Sequence, residues 1–233
     1  MLKLIFNEIG DCLCPTFCLG CQRRGNWFCK TCIHESALSL SPTQCQICRR
    51  TTFAPNALCK THQQSLNLKA LGCFGSYQKQ PLKRALHKLK YQGLSAAFDE
   101  FAAHAYSRWQ TILKHTSWSA LIPIPISPQR LRSRGYNQAF LLARALSELT
   151  HIPVRTQLQR IQETRSQVGL SRRERQKNVS GVFKWTGPEI QGPVLLIDDI
   201  CTTGATLAEA ARCLAQAGFR ERAALTLAYD EAP

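Results

Sequence analysis

The chain has 233 residues, 12 of them cysteines, and a formal net charge of +15 from 30 basic and 15 acidic side chains. Its hydrophobic content of 44% is near the globular average, which argues against a disordered or fibrous chain. Apolar stretches are shorter than the roughly 20 residues of a membrane-spanning helix, and Asn7, Glu8 and Asp11 interrupt any apolar region near the N-terminus. We therefore expect a cytoplasmic protein, not integral to a membrane, whose cysteines are thiols or metal ligands rather than disulfides.

The cysteines divide the chain into two parts. Ten of the 12 precede residue 74, and the first 65 residues contain few long periodic segments. Such a segment is too small to hold a hydrophobic core without a metal ion. We predict a zinc-binding module over residues 1–65 and an α/β domain over residues 66–233.

The predicted module contains two blocks with the spacing of metal ligands. Three Cys-x2-Cys pairs and one Cys-x2-His pair fall within 45 residues, and this soft ligand set favours tetrahedral Zn²⁺. We predict two structural zinc sites with sequential ligand pairing; pairing across the blocks, core cysteines without metal and redox-active pairs are the alternatives. Cys12 and Cys14 are alternative ligands. The first predicted site consists of Cys18, Cys21, Cys29 and Cys32, and the second of Cys45, Cys48, Cys59 and His62.

Beyond the module, helical and strand patterns alternate. Buried strands that alternate with helices predict a mostly parallel sheet with helices packed against it. Asn137 is predicted to cap one of the helices, and Gly218 follows the end of another. The patterns predict helices over residues 82–91, 96–115, 137–150 and 206–217, and strands over residues 119–126, 194–198 and 223–229.

The helix predicted over residues 82–91 is strongly basic. Tyr77 and Tyr91 lie near its cations, and such a composition holds phosphates and stacks bases. A solvated basic face is the competing interpretation. The predicted single-stranded DNA-binding residues are Lys83, Arg84, Lys88 and Lys90.

Arginines are concentrated after the strand predicted over residues 119–126. Residues 127–178 hold 11 basic and 3 acidic side chains, and arginine is suited to bidentate binding of phosphate groups. Arg130, Arg132 and Arg134 are predicted to lie in a loop that closes on a helix N-terminus, a natural site for pyrophosphate. A second polar and basic cluster covers residues 164–178 and includes Arg172 and Arg175. For these arginines, a solvated helix or loop is the alternative to a phosphate-binding role.

The most specific motif follows the strand predicted over residues 194–198. Asp198 and Asp199 come at its carboxyl end, where α/β proteins bind their ligands, and two adjacent carboxylates suit a sugar diol. A turn of small and hydroxyl residues then opens a helix, whose first N–H groups can surround a phosphate. A core strand followed by an ordinary capped helix is the alternative. The predicted phosphate-binding residues are Thr202, Thr203, Gly204, Ala205 and Thr206.

In this order, the motifs resemble the ComF family, the competence-associated proteins of bacteria with a type I phosphoribosyltransferase-like domain. The resemblance covers nearly the whole chain: the cysteine module, residues 134–139, residues 164–178 and residues 198–206. His62 stands where a fourth Cys-x2-Cys pair would be expected, and imidazole also binds zinc. The resemblance implies the type I phosphoribosyltransferase fold, which is Rossmann-like, with a small N-terminal zinc-ribbon-like module.

The resemblance also implies a site for phosphoribosyl pyrophosphate (PRPP), or a related ribose phosphate, together with Mg²⁺. In such a site Asp198 and Asp199 would orient the ribose, residues 202–206 would grip the 5′-phosphate, and the arginines would stabilise the departing pyrophosphate. The implied catalytic residues are Asp198, Asp199 and Arg134, and the implied PRPP ligands add Arg130, Arg172 and Arg175 to the phosphate-binding turn.

The function implied by the family is natural transformation, in which the protein handles incoming single-stranded DNA in the cytoplasm and contacts the DNA-uptake machinery. The alternative is a metabolic phosphoribosyltransferase that acts on a small nitrogenous acceptor. We favour the first because the zinc module and the positive charge exceed what a small-molecule enzyme requires. The sequence leaves open whether the chain is catalytically active and which acceptor it would use.

Overall fold

The computed structural model describes residues 15–38, 41, 43–91, 94–114, 116–162 and 179–230. Helices and strands alternate along most of this part of the chain, as the sequence patterns predict. In chain order the elements are α1 (Lys30–Glu35), α2 (Lys60–Leu66), β1 (Leu71–Ser76), α3 (Gln80–Tyr91), α4 (Ala97–Lys114), β2 (Ala120–Pro123), α5 (Pro128–Arg134), α6 (Gln138–Thr150), β3 (Leu158–Arg160), β4 (Phe183–Trp185), β5 (Val194–Cys201), α7 (Ala205–Gln216) and β6 (Arg222–Tyr229).

The core of the fold is a parallel sheet. Within the described residues it has four strands in the order β1-β6-β5-β2, and every neighbouring pair is parallel. The central strands β5 and β6 are almost continuous apolar runs, because helices cover both faces of the sheet. β3 and β4 form a separate antiparallel pair. The predicted α/β architecture with a parallel sheet flanked by helices is confirmed, and the type I phosphoribosyltransferase fold stays a prediction.

Two hydrophobic layers lie on opposite faces of the sheet. Side chains alternate between the two faces along each strand, so Leu195 and Leu225 belong to one layer and Leu196 and Ala224 to the other. The first layer is completed by α3, α4 and α6, and the second by α2 and α7. No helix of the described residues has both the length and the apolar character needed to cross a bilayer.

The cysteine-rich segment, which runs from residue 15 to the end of α2, contributes side chains to both layers. Buried Cys18 and Cys32 join the first layer, and buried Cys45 and Leu66 join the second. The same segment covers the edge strand β1, where the Ser76 N–H donates to the carbonyl oxygen of residue 36 at 3.0 Å. An open strand edge would otherwise pair with another chain. The cysteine-rich segment therefore protects the edge of the sheet and completes its core, while the division at residue 65 stays a prediction.

Several element boundaries differ from those that the sequence predicts. The helix predicted to begin at residue 82 begins at Gln80, and β2 is shorter than the predicted strand 119–126. The strand predicted over residues 194–198 differs more, because β5 continues to Cys201. Asp198 and Asp199 therefore lie inside the strand, whereas the prediction placed Asp198 at its end and Asp199 after it. The helix predicted over residues 206–217 is α7, which begins one residue earlier. His115, the last residue of the helix predicted over residues 96–115, lies outside the described residues.

The predicted arginine loop is wrong: residues 128–134 form helix α5. The Ser127 side-chain oxygen caps this helix by accepting a hydrogen bond from the Arg130 N–H at 3.3 Å, and a proline follows at the first helical position. Serine as the cap and proline at the first helical position are a common start of a helix. The predicted cap of α6 is confirmed, since the Asn137 side chain accepts from the Ala139 N–H at 3.0 Å.

Candidate functional site

The predicted metal ligands come together in two groups of four. Among the described residues, the ligand atoms within each group all lie within 4.8 Å of one another. The groups follow the sequential pairing, so each block forms its own cluster. Each group could hold a metal ion, and ligand sets of four sulfurs, or of three sulfurs and one imidazole, fit zinc. Cys12 and Cys14 lie outside the described residues. The groups are Cys18, Cys21, Cys29 and Cys32, and Cys45, Cys48, Cys59 and His62.

Each group is built by the same local structure, a tight turn followed by a short helix. The backbone N–H of Cys18 and that of Cys45 each donate to the carbonyl oxygen five residues later, at 2.8 Å. Cys29 and Cys59 stand immediately before α1 and α2, so the third ligand of each group occupies the N-cap position and the fourth lies in the first turn of the helix. The two blocks are therefore a structural duplication, with one copy on each face of the sheet.

A second candidate site is a cleft of about 820 Å³ at the carboxyl ends of the parallel strands. It brings the carboxylate pair, the turn before α7 and two arginines of α5 together from separate elements. Of the predicted PRPP residues that the structure describes, Thr203 alone is outside the lining. Arg172, Arg175 and the rest of residues 164–178 lie outside the described part of the chain. The predicted residues that line the cleft are Asp198, Asp199, Thr202, Gly204, Ala205, Thr206, Arg130 and Arg134.

The two carboxylates of β5 have different surroundings. Alternation along the strand places Asp199 on the face that carries α3, and the Lys90 Nζ atom of α3 lies 3.2 Å from Asp199 Oδ2. Asp198 lies on the other face, and its Oδ1 accepts the backbone N–H of Asp199 at 2.8 Å. One carboxylate is therefore neutralised by a cation, and the other has a backbone donor.

These surroundings move the pKa values of the two groups apart. Burial and the neighbouring Asp199 carboxylate raise the pKa of Asp198 well above its usual range. Burial alone would also raise the pKa of Asp199, but the Lys90 ammonium, with a smaller effect from Arg134, lowers that pKa below its usual value. Adjacent acids with opposite shifts are common at sites that bind or transform ligands.

The turn between β5 and α7 depends on Gly204. Its φ of 75° lies in the left-handed region, and a Cβ atom at this position would lie 2.7 Å from Leu66 Cδ2 at the end of α2. The Thr203 hydroxyl accepts the Ala205 N–H at 3.4 Å, so this threonine supports the turn. The N-terminus of α7 faces the cleft, because Ala205 and Thr206 line it. The chain that follows the second cysteine block therefore supports this turn through Leu66.

Replacing Gly204 with alanine tests this support. We expect Gly204→Ala to lower the free energy of unfolding by about 2–4 kcal/mol, because it adds backbone strain and a collision with Leu66. Gly181→Ala is the matched control, since Gly181 has a φ of +72° but open space around its Cβ position. That control is expected to lose only about 1–2 kcal/mol. Urea unfolding measures both, and equal losses would show that the Leu66 contact contributes nothing.

The arginines of α5 are held beside the carboxylates. The Arg134 guanidinium lies over the Tyr91 ring, with 5.6 Å between its Cζ atom and the ring centroid, and its Nη1 donates to Gln138 Oε1 at 3.2 Å. Behind it, the Asn137 amide donates to the carbonyl oxygen of Ile124 at 3.0 Å, which ties the start of α6 to the end of β2. Arg130 and Arg134 both line the cleft.

The four cations predicted for DNA do not share one surface. Lys90 lines the cleft and pairs with Asp199. Lys83 lies on the same flank of α3 as Lys90, and its Nζ atom is 5.6 Å from the centroid of the Tyr77 ring. Helical spacing places Arg84 and Lys88 together, turned away from Lys90. DNA binding by Lys83, Arg84, Lys88 and Lys90 stays a prediction, and Lys90 also lines the cleft.

Comparison with known proteins bears on the predicted resemblance. No family model matches the chain. Competence protein F of Haemophilus influenzae is 38% identical over 106 residues, which are 44% of this chain and 46% of that protein. Competence protein ComFC of Bacillus subtilis is 30% identical over 138 residues, 59% of this chain and 55% of that protein. DNA utilization protein YhgH of Shigella flexneri is 28% identical over 197 residues, 75% of this chain and 85% of that protein.

The chain is homologous to these competence and DNA utilization proteins. The resemblance predicted from the cysteine blocks and the phosphate-binding turn is thereby confirmed. The chain matches about half the length of the two competence proteins. The match to the YhgH protein extends over most of both chains.

The structure also adds cleft residues that the sequence patterns did not indicate. Tyr77, His87, Arg160 and Asp230 line the cleft with the predicted residues. Tyr77 and Asp230 directly follow β1 and β6, so a rule that inspects the residue after every parallel strand would have found them. His87 comes from α3 and reaches the cleft only because of how that helix packs on the sheet.

Proposed function

We propose that this chain acts in natural transformation, handling incoming single-stranded DNA in the cytoplasm and binding PRPP with Mg²⁺ in the cleft. The observation that carries the proposal is the convergence of Asp198, Asp199, the turn over residues 202–206 and the arginines of α5 on one cleft. The names of the homologues, which refer to competence and to DNA utilization, support the DNA-related part. Contact with the DNA-uptake machinery is part of the same proposal.

The residues of the cleft suit a ribose that carries phosphates at both ends. The carboxylates of Asp198 and Asp199 accept hydrogen bonds from the ribose hydroxyls. The N–H groups at the start of α7 and the hydroxyls of Thr202 and Thr206 bind the 5′-phosphate, since a helix N-terminus attracts anions. Arg130 and Arg134 bind the pyrophosphate, and the stacking of Arg134 on Tyr91 fixes the direction of its guanidinium.

The donor set also fits magnesium. Carboxylate oxygens are hard ligands that Mg²⁺ prefers, and Asp198 and Asp199 supply them beside the positions of the ligand oxygens. When bound, the ion would neutralise charge on the pyrophosphate. The chain's own contribution is to orient the ribose through the carboxylates and to hold the phosphates with the arginines and the α7 N-terminus.

For the two cysteine groups we propose structural zinc. Each group offers four protein ligands and so completes a tetrahedral shell, which is typical of structural rather than catalytic zinc. Buried ligands from both groups belong to the hydrophobic layers, so the ions would stabilise the sheet edge as well as the local turns.

A second candidate function is a metabolic phosphoribosyltransferase, and the size of the cleft favours it. A volume of about 820 Å³ exceeds the needs of a ribose phosphate alone and leaves room for a small nitrogenous acceptor. In that reaction an acceptor nitrogen would form a bond to the anomeric carbon while the bond to pyrophosphate breaks. Asp198 and Asp199 would orient the ribose, and Arg134 would stabilise the leaving pyrophosphate.

The DNA part of the proposal predicts a strong dependence on salt. If Lys83, Arg84 and Lys88 contact three phosphates of a single strand, the affinity should fall by about twentyfold between 50 and 200 mM salt. Fluorescence anisotropy of a labelled single-stranded oligonucleotide measures this dependence. Absence of binding at low salt would overturn the DNA function and leave the metabolic enzyme.

The two candidate functions are separated by one combined assay. Single-stranded DNA, PRPP and Mg²⁺ are mixed with the full chain, and both DNA binding and pyrophosphate release are followed. The transformation proposal expects DNA binding that PRPP strengthens or weakens, with or without release of pyrophosphate. Rapid pyrophosphate release with a free nitrogenous base, and no DNA binding, would instead establish the metabolic enzyme.

A further inference from the structure

Lys90 occupies a position that the proposed ligand contacts do not account for. Its ammonium lies 3.2 Å from Asp199 Oδ2, inside the cleft and next to the carboxylate that is proposed to orient the ribose. The side chains of Lys90 and Asp199 are 21% and 19% exposed, so the pair is largely shielded yet still open to solvent. Shielding strengthens the attraction, and the remaining exposure allows the pair to separate.

The end of α3 that carries Lys90 is anchored to the arginine side of the cleft. The Tyr136 hydroxyl donates to the carbonyl oxygen of Leu89, and the Tyr91 ring packs under the Arg134 guanidinium. The backbone of Lys90 is therefore fixed between the carboxylates and the arginines. The flexible four-carbon stem of lysine lets the ammonium reach either side from such a fixed point.

The position of Lys90 has opposite consequences for cations and for anions. A divalent cation at Asp199 would lie close to the ammonium and would be repelled by it. A phosphate group near Arg134 would instead attract the ammonium and draw it away from Asp199. The Asp199 oxygens would then become available to the ribose hydroxyls.

We propose that Lys90 is an exchangeable counter-ion: it neutralises Asp199 and keeps divalent cations off the carboxylate pair until a ribose phosphate enters, and it then binds a phosphate oxygen of that ligand. The second half of this proposal rests on the proposed PRPP site. The first half rests on the ion pair alone. Lys90 thereby makes cation binding to the carboxylates depend on the anionic ligand.

Calorimetric titration of the full chain with two probes tests both halves. Mn²⁺ alone is the first probe, and PRPP in the presence of Mg²⁺ is the second. For Lys90→Met we expect an affinity for Mn²⁺ about tenfold higher and an affinity for PRPP about tenfold lower than in the wild-type chain. Such opposite changes would not follow from a general loss of structure, which weakens binding of both probes.

Two control variants sharpen the result. Lys90→Arg keeps the charge and is expected to restore both affinities to near the wild-type values. Lys184→Met removes one positive charge at an exposed position of β4 outside the cleft lining and is expected to change neither affinity. A Lys90→Met chain with unchanged affinity for Mn²⁺ would overturn the counter-ion role, and unchanged affinity for PRPP would overturn the phosphate contact.

The outcome also separates this proposal from the proposed function. If the wild-type chain bound no PRPP, the proposed site and the phosphate contact of Lys90 would both be overturned. The Mn²⁺ titration would still support or overturn the counter-ion role in that case, because it needs no PRPP.

Discussion

Replacing Asp198 and Asp199 together with asparagine is expected to weaken PRPP binding by about a hundredfold or more and to leave the fold intact. Each carboxylate is proposed to accept a charge-assisted hydrogen bond from a ribose hydroxyl, and asparagine keeps the shape but removes the charge. The fold should tolerate the change, because burial and Asp199 already raise the pKa of Asp198 and a neutral side chain removes that unfavourable charge. Lys90 would lose its partner but is partly exposed to solvent.

Isothermal titration calorimetry with PRPP and Mg²⁺ measures this loss, and circular dichroism checks the fold. The matched control is the double variant Asp99→Asn with Glu148→Gln, which removes two negative charges from exposed positions of α4 and α6. The control should bind PRPP as tightly as the wild-type chain. Unchanged affinity in the Asp198 and Asp199 variant would mean that the carboxylate pair does not contact the ligand.

The second large effect is expected from the loss of one metal ligand. We expect Cys21→Ser to lower the free energy of unfolding by about 4 kcal/mol or more, because a structural zinc site contributes on the order of 10 kcal/mol. Cys21 is the exposed ligand of the first group, so its replacement by serine removes a zinc ligand and almost no core packing. The first hydrophobic layer should be weakened as well, since Cys18 and Cys32 belong to it.

Urea unfolding together with a measurement of bound zinc tests this prediction. Cys213→Ala is the control, because Cys213 is a buried thiol of α7 outside both ligand groups, and it should lose about 1 kcal/mol with its zinc content unchanged. A strong chelator should destabilise the wild-type chain as Cys21→Ser does. Full zinc content and wild-type stability in Cys21→Ser would contradict a structural role for that group.

Local sequence patterns predict those parts of the molecule that local chemistry determines. The two ligand groups follow from the spacing of their cysteines, and the Asn137 cap and the strand that carries Asp198 follow from local patterns. α5 also had a local start in Ser127 and its following proline, but the arginines suggested a loop. In α5, the capping serine and the proline indicate the helix, and the density of arginines does not.

Contacts between distant elements could not be predicted in this way. The pairing of Lys90 with Asp199 depends on how α3 packs on the sheet, and the contact of Leu66 with Gly204 depends on how the second cysteine block packs against α7. Neither residue carries a local pattern that identifies its partner. Both contacts bear on the cleft, so tertiary packing determines much of the candidate site.

The packing of the cysteine-rich segment gives it structural roles beyond metal binding. From composition, it is a small module that needs metal to fold. In the structure it also covers the edge of β1, joins both hydrophobic layers and supports the turn at Gly204. Metal binding in this segment would therefore stabilise the cleft as well as the segment itself.

The most direct test of the proposed cleft is a crystal structure of the full chain with PRPP and Mg²⁺. We expect one ligand per chain, with its 5′-phosphate at the N-terminus of α7, its ribose hydroxyls at Asp198 and Asp199, and its pyrophosphate beside Arg134. A ligand bound elsewhere, or a cleft that stays empty at saturating PRPP, would contradict it.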